Sequence, residues 1–190
     1  MSQTKWAGDS GTLATGTNQG VGLSSHQFSV GLAEIRVVNG PTLLECQGIG
    51  SCIAVIAYDA HACVSGVAHI ILPKRVPSSS SDRPGMFMDT AVEHLLNELV
   101  KAGAVAERLK WAYSGGSDFV HLANGASLPA LELGRRNSEA AKSELSRLGA
   151  EVVGNDTGGT TGRDVSFCTA DGDVKVRTVH EGEKTICNLQ

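Results

Sequence analysis

The stretch Ile53-Ala54-Val55-Ile56-Ala57-Tyr58 decides the fold of this chain. It is a continuous apolar run of strand length, which is typical of a β-strand covered on both faces. After the short segment 59–62, a second run extends from Cys63 to Leu72 and stops at Pro73. Two such runs joined by a short turn predict a β-hairpin at the centre of the protein.

Two helices are predicted from the spacing of apolar residues further along the chain. Val92, Leu95, Leu96, Leu99 and Val100 follow the spacing of one buried helix face. We expect this helix to begin near Asp89, with Thr90 and Glu93 as a capping box, and to end at Gly103. A second helix is expected over residues 137–148, with Asn137 as its N-cap.

Further strands complete the predicted fold. They are expected at residues 28–30 or 35–38, and at residues 109–113, 150–153, 165–169 and 174–179, the last two joined by the hairpin signal Asp171-Gly172. This combination predicts an α+β fold with an antiparallel β-sandwich-like core and helices packed on the outside. Residues 28–190 are expected to form a single domain. Residues 1–27 are rich in Gly, Ser and Thr without periodicity, which is typical of a disordered N-terminal tail.

Composition excludes several classes of protein. The chain has 190 residues, and its net charge of −4 has the wrong sign for a nucleic-acid binder. No apolar run approaches the roughly 18 residues that span a bilayer, and the N-terminus does not resemble a secretory signal. The 5 cysteines are an odd number at irregular spacings. These features predict a cytoplasmic protein without membrane insertion or a nucleic-acid partner.

The predicted hairpin brings one thiol and one imidazole together. If its turn is centred on Ala60-His61, Cys52 lies directly opposite His69. Opposed residues project from one face with Cβ atoms about 4.5–5.5 Å apart, which suits a nucleophile and its base. Gly50 and Ser51 precede Cys52 in a bend whose backbone N–H groups could hold an oxyanion. The alternative is a cysteine that only packs and a histidine that is satisfied locally.

Short motifs in a fixed order give this pattern a family context. They are Gly50-Ser51-Cys52-Ile53-Ala54-Val55, Val67-Ala68-His69-Ile70-Ile71-Leu72-Pro73, Asp82-Arg83-Pro84-Gly85, Asp89-Thr90-Ala91, Ser114-Gly115-Gly116, Leu133-Gly134-Arg135-Arg136-Asn137, Asp156-Thr157-Gly158-Gly159, Gly162-Arg163-Asp164-Val165 and Val174-Lys175-Val176-Arg177. Over residues 28–180 this ordered set resembles the CheD family of chemoreceptor glutamine deamidases.

The resemblance implies a function and a site. It implies hydrolysis of selected glutamines of methyl-accepting chemotaxis receptors to glutamate, with Cys52 as nucleophile and His69 as general base and acid. Gly50, Ser51 and Cys46 would shape the site or its oxyanion pocket, and no metal or organic cofactor is expected. The family can also bind and stimulate a CheC-type phosphatase of phosphorylated CheY. Its fold is similar to the catalytic fold of cytotoxic necrotizing factor toxins.

Cys46 departs from the family pattern, which commonly has a threonine at this position. A thiol is a poorer hydrogen-bond partner than a hydroxyl. Either Gln47 or Thr42 takes that role, or the site is weaker. A catalytically weak or inactive regulator that binds CheC is therefore one alternative, and a general thiol amidase is another. A zinc site built from Cys46, Cys52, His61, Cys63 and His69 lacks the usual closely spaced cysteine pair.

Overall fold

The computed structural model describes residues 26–75, 83–118 and 132–190. The predicted N-terminal tail lies outside these ranges except for His26 and Gln27, which begin the first strand. The strands are β1 (His26–Ser29), β2 (Ile35–Asn39), β3 (Thr42–Ile49), β4 (Ile53–Asp59), β5 (Val64–Ile70), β6 (Lys110–Gly115), β7 (Glu151–Thr157), β8 (Arg163–Cys168), β9 (Asp173–Thr178) and β10 (Gly182–Asn188). The helices are α1 (Met88–Lys101) and α2 (Leu133–Arg147), with a 3₁₀ turn at Ala106–Arg108.

These strands form two sheets of 5 strands each, in the orders β1-β3-β8-β9-β10 and β2-β5-β4-β6-β7. Neighbouring strands are antiparallel except for the β1–β3 and β6–β7 pairs, which are parallel. The protein is thus a mixed fold of two sheets and two helices, in which strands predominate. The likeness to the toxin catalytic fold stays a prediction.

Strand β4 is buried along its whole length because both of its faces are covered. Ile53, Val55 and Ala57 belong to a cluster shared with α1 and α2. The alternate residues of β4 pack in a second cluster with residues of the other sheet. We call this second cluster the inter-sheet layer: Val30, Leu44, Cys46, Ile49, Ala54, Ile56, Tyr58, Val67, Ala112, Val165, Phe167, Val174, Val176 and Leu189. The predicted burial of β4 on both faces is confirmed.

The β4–β5 hairpin forms, but its predicted register is wrong by two residues. Asp59 pairs with Val64, so the turn runs over residues 60–63, and Ala54 rather than Cys52 lies opposite His69. The carboxylate of Asp59 accepts the backbone N–H groups of His61 and Ala62, both at 3.1 Å. Cys63 has a left-handed φ of 53° and so belongs to the turn. Because side chains alternate with a period of two, this shift leaves each side chain on its predicted face.

The predicted start of α1 near Asp89 is confirmed, but its predicted capping box and the predicted start of α2 are wrong. Helix α1 begins at Met88 after Phe87 and has no side-chain cap, and the Thr90 hydroxyl instead donates to the Phe87 carbonyl at 3.2 Å. Helix α2 begins at Leu133, so Asn137 is not a cap but a fully buried residue within the helix. The predicted end of α1 is confirmed, since Gly103 follows it with φ +107°.

Val100 was expected on the buried face of α1, but it is 47% exposed. Strands β3 and β10 are present although the sequence pattern does not predict them. The Asp171-Gly172 turn does join β8 to β9, as expected. Across the described ranges, neither helix combines the length and the apolar character needed to cross a membrane.

Candidate active site

Cys52 lies in the short turn between β3 and β4, where neighbouring backbone holds it firmly. The carbonyl of Gly50 accepts the N–H of Ser117 at 2.9 Å, and that of Cys52 accepts the N–H of Gly116 at 2.8 Å. The Cys52 side chain is half-buried and packs against the inter-sheet layer. The turn therefore fixes the backbone while leaving part of the thiol open to solvent.

Gly115 is what allows this close approach. Its φ is +131°, and a Cβ placed there would overlap the carbonyl oxygen of Cys52 and lie 2.6 Å from Cγ2 of Ile49. Real Cβ atoms do not approach other atoms so closely, so the turn that carries Cys52 requires a glycine at this position.

His69 is on β5 and only 2% exposed. It alternates with Val67, a member of the inter-sheet layer, so the imidazole points to that same side of the sheet. Nδ1 lies 3.4 Å from the carbonyl oxygen of Val30. A carbonyl only accepts, so we assign the proton to Nδ1, which leaves a lone pair on Nε2. Among the described residues, buried Nε2 has no hydrogen-bond partner.

The thiol and the imidazole are diagonal neighbours rather than directly opposed ones. Ala54 lies opposite His69, and Cys52 precedes Ala54 by two residues. Such diagonal positions are typically about 7–8 Å apart between Cα atoms, within reach of long side chains. Within the described ranges no hydrogen bond joins Cys52 Sγ to His69 Nε2. The structure thus places the predicted pair on one side of the sheet, but not in hydrogen-bond contact.

Both groups are held in their uncharged forms. Burial raises the pKa of the Cys52 thiol, and a hydrogen bond from its own backbone N–H opposes this only in part. Burial lowers the pKa of His69, against the opposing effect of the Val30 carbonyl. At neutral pH the resting site therefore contains a thiol and a neutral imidazole whose Nε2 can accept a proton.

Comparisons with known proteins show the family of this chain. The family model described as CheD chemotactic sensory transduction matches residues 71–178, which is more than half of the chain. The chain belongs to the CheD family. A relative from Desulfitobacterium hafniense, named probable chemoreceptor glutamine deamidase CheD, is 37% identical over 162 residues, covering 85% of this chain and 99% of the relative.

Two further CheD relatives are about as similar to this chain. One from Halalkalibacterium halodurans, named chemoreceptor glutamine deamidase CheD, is 35% identical over 83% of this chain and 96% of its own length. A probable deamidase from Methanococcus vannielii is 38% identical over 81% of this chain and 96% of its own. The matched segment of the family model begins after Cys52 and His69, whereas these matches cover most of the chain.

Cys46, where the CheD resemblance expects a threonine, is buried in β3 and belongs to the inter-sheet layer. Burial, and to a smaller extent the charge of Glu34, raise its pKa to about 12. This thiol therefore stays protonated at neutral pH. The alternatives lie elsewhere, since Gln47 is exposed, and the Thr42 hydroxyl donates to Gly40 at 3.1 Å. Thr42 is buried on the same side of β3 as Cys46 but lies four residues earlier along the strand, so neither residue takes the place of Cys46.

The considered zinc ligands do not assemble into one site. His61 and Cys63 lie in the turn after β4, at the opposite end of that strand from Cys52. Across the described part of the chain, no three His, Cys, Asp or Glu residues are placed to hold a metal ion.

One residue of the site was not predicted. The side chain of Asn137 donates from Nδ2 to the carbonyls of Ser51 at 2.7 Å and Ile71 at 2.8 Å. The sequence does indicate that Asn137 matters, because this residue ends one of the family-like motifs. Its position before a helical pattern favours a helix cap, however, and does not indicate the tertiary contact.

A surface cavity of about 410 Å³ lies apart from the pair. It is lined by Gly48, Thr161, Gly162, Arg163, Asp164, Arg177, Thr178 and Val179. Neither Cys52 nor His69 lines this cavity.

Proposed function

We propose that this chain hydrolyses glutamine side chains of chemotaxis receptors to glutamate, with Cys52 as nucleophile and His69 as general base and acid. The observation that carries the proposal is the buried, unpartnered Nε2 of His69 on the same side of the sheet as the half-buried Cys52 thiol. The names of the relatives, chemoreceptor glutamine deamidases, support the choice of substrate.

The first half of the reaction forms a thioester. His69 Nε2 takes the proton of Cys52 Sγ, and the sulfur attacks Cδ of the glutamine while the carbonyl electron pair moves to oxygen. The imidazolium then donates its proton to the amide nitrogen as the C–N bond breaks, and ammonia leaves. In the second half His69 activates a water that attacks the same carbon. The C–S bond breaks, and glutamate and the free thiol result.

The tetrahedral oxyanion needs hydrogen-bond donors near Cys52. Among the described residues, the N–H groups of Ser51 and Cys52 donate to no backbone carbonyl, and that of Cys52 points to its own sulfur. We assign them to the oxyanion, with Gly50 giving the bend its freedom. Cys46 shapes the site through packing in the layer beneath it. No step of this sequence requires a cofactor.

The proposed proton transfer requires Sγ and Nε2 to come closer than they are in the substrate-free protein. Catalytic hydrogen bonds are often long or poorly aligned before substrate binds and tighten in the complex. The neutral state of both groups fits such a mechanism, because the base has its lone pair available before the attack. We therefore place the tightening of this pair in the complex with the receptor.

The test is to incubate the chain with the cytoplasmic fragment of a receptor and to map its peptides by mass spectrometry. Each converted glutamine gains about 1 Da, and removal of the nucleophile is expected to reduce the rate by roughly 10³-fold or more. Cys52→Ala and His69→Ala are the active-site variants, and Cys63→Ala, on the exposed distant turn, is the matched control. Equal conversion by Cys52→Ala and native protein would refute the proposal.

A second role rests on the family resemblance and on Cys46 in place of threonine. We propose that the chain also binds a CheC-type phosphatase, in the cytoplasm, where its free cysteines would stay reduced. Stimulation of CheC by Cys52→Ala, without deamidation by the native chain, would favour a binding regulator over an enzyme. Conversion of free glutamine as readily as receptor would favour a general amidase.

A further inference from the structure

Asn137 makes contacts that join the two halves of the proposed site. It lies in α2 with none of its surface exposed, and its Nδ2 donates to Ser51 at 2.7 Å and to Ile71 at 2.8 Å. Both N–H bonds of the amide are therefore used. Ser51 directly precedes Cys52, and Ile71 follows His69 by two residues.

These two carbonyls lie just beyond the last backbone pair of the hairpin. The β4–β5 pairing ends with Ile53 opposite Ile70. Ser51, which precedes β4, and Ile71, which follows β5, therefore lie just beyond this last pair. The side chain of Asn137 bridges the two segments at this point. We propose that Asn137 is a positioning residue that sets the spacing between the Cys52 turn and the strand that carries His69. The expected effect of Asn137 on deamidation rests on the proposed function, whereas its effect on the spacing of the two segments does not.

The approach of α2 to the turn supports this role. A Cβ at Gly134 would lie 2.5 Å from the carbonyl oxygen of Ser117 and 2.6 Å from that of Gly116. The helix start is thus packed directly on the segment that holds Gly50 and Cys52. This contact brings Asn137 within hydrogen-bond distance of Ser51, and a longer side chain at Gly134 would push it away.

The chemistry of the side chain fits a double donor. Asn137 Oδ1 is buried and has no hydrogen-bond partner in the described part of the chain. Leaving a buried polar atom unsatisfied is destabilising, so the two N–H bonds are kept here at a cost to stability. Leucine would fill similar space without donating, and aspartate would set its oxygens against two carbonyls.

The experiment compares native protein, Asn137→Ala and Leu145→Ala. Leu145 is fully buried on the same helix but contributes to the helix-facing core, so its variant controls for lost stability. We expect Asn137→Ala to lower kcat for receptor deamidation by about 10–100-fold with KM within two-fold, because small misplacements of reacting groups have effects of this size. Leu145→Ala should keep kcat within two-fold of native at a temperature where it is folded.

A second readout does not depend on the receptor. Iodoacetamide labels Cys52, and the exposed Cys63 in the same molecule serves as the reference thiol. We expect the Cys52-to-Cys63 rate ratio at pH 7 to rise several-fold in Asn137→Ala, because the released turn exposes the half-buried thiol, and to stay unchanged in Leu145→Ala. If Asn137→Ala does not fold, Asn137→Ser, which keeps one donor, should show a smaller rise.

The two hypotheses fail separately. If native protein converts no receptor glutamine, the proposed function is wrong, and the labelling ratio alone decides the role of Asn137. If kcat and the labelling ratio of Asn137→Ala both stay within two-fold of native, the positioning role is wrong, whatever the substrate.

Discussion

Gly115→Ala is the change that most directly perturbs the position of Cys52 without touching either reacting group. The new Cβ would overlap the Cys52 carbonyl oxygen and lie 2.6 Å from Ile49 Cγ2, where ordinary contact begins near 3.4 Å. The turn must therefore move by about 1 Å, which also weakens the bond from the Gly116 N–H to the Cys52 carbonyl. A displacement of this size is expected to reduce kcat by about 10²-fold.

The control for this variant is Gly103→Ala. Gly103 also has a left-handed φ, +107°, but a Cβ there meets nothing within 4 Å. Both variants carry backbone strain, about 1–3 kcal/mol for a non-glycine residue at positive φ, and only Gly115→Ala moves the turn. Receptor deamidation is measured by peptide mapping, and folding by thermal unfolding. Equal kcat in the two variants would refute the claim that turn geometry controls activity.

Three further predictions concern pH, stability and thiol reactivity. Deamidation should persist below pH 6.5, because burial lowers the pKa of His69 and the base stays neutral there; a rate that halves at or above pH 6.5 would contradict this. Burial alone would raise the pKa of Asp59, but hydrogen bonds from Arg108 and backbone N–H groups bring it from 3.8 to about 2. The folded pKa is the lower one, so this stabilisation of about 2 kcal/mol is present above pH 3.8 and is lost as pH falls toward 2. In urea titrations Asp59→Asn should therefore lose at least that much at pH 7, and an unchanged midpoint would contradict it. Cys46 has a pKa of about 12 and is 1% exposed, so it should resist iodoacetamide in the folded protein while Cys63 reacts. Equal labelling of the two thiols would contradict the burial of Cys46.

The central hairpin was predictable because its apolar run is buried from both sides. The register was not, because it depends on the turn. Asp59 folds back to accept two backbone N–H groups, and Cys63 adopts a left-handed φ that no pattern of apolar residues reveals. Only the face of each side chain followed from the sequence, since a two-residue shift preserves it. That was enough to place Cys52 and His69 on one side of the sheet.

The start of α2 shows a different limit. Asparagine is a strong N-cap, and residue 137 precedes a helical pattern, so local propensity favoured a helix start there. In the folded chain the same amide is fully buried and bound to two segments that are distant in sequence. A cap would use the amide oxygen of Asn137 as an acceptor, whereas these contacts use its N–H groups as donors, and the sequence alone does not show which end of the amide is used. The residue most informative about the site was therefore misassigned.

The central claim is that the Cys52 sulfur becomes bonded to the receptor glutamine. Hydroxylamine tests it directly, because it intercepts a thioester and leaves a hydroxamate about 16 Da heavier than the glutamine. With native protein we expect this hydroxamate at the same receptor positions that become glutamate in water, and none with Cys52→Ala. Conversion to glutamate without any hydroxamate, or a hydroxamate formed equally by Cys52→Ala, would contradict the account.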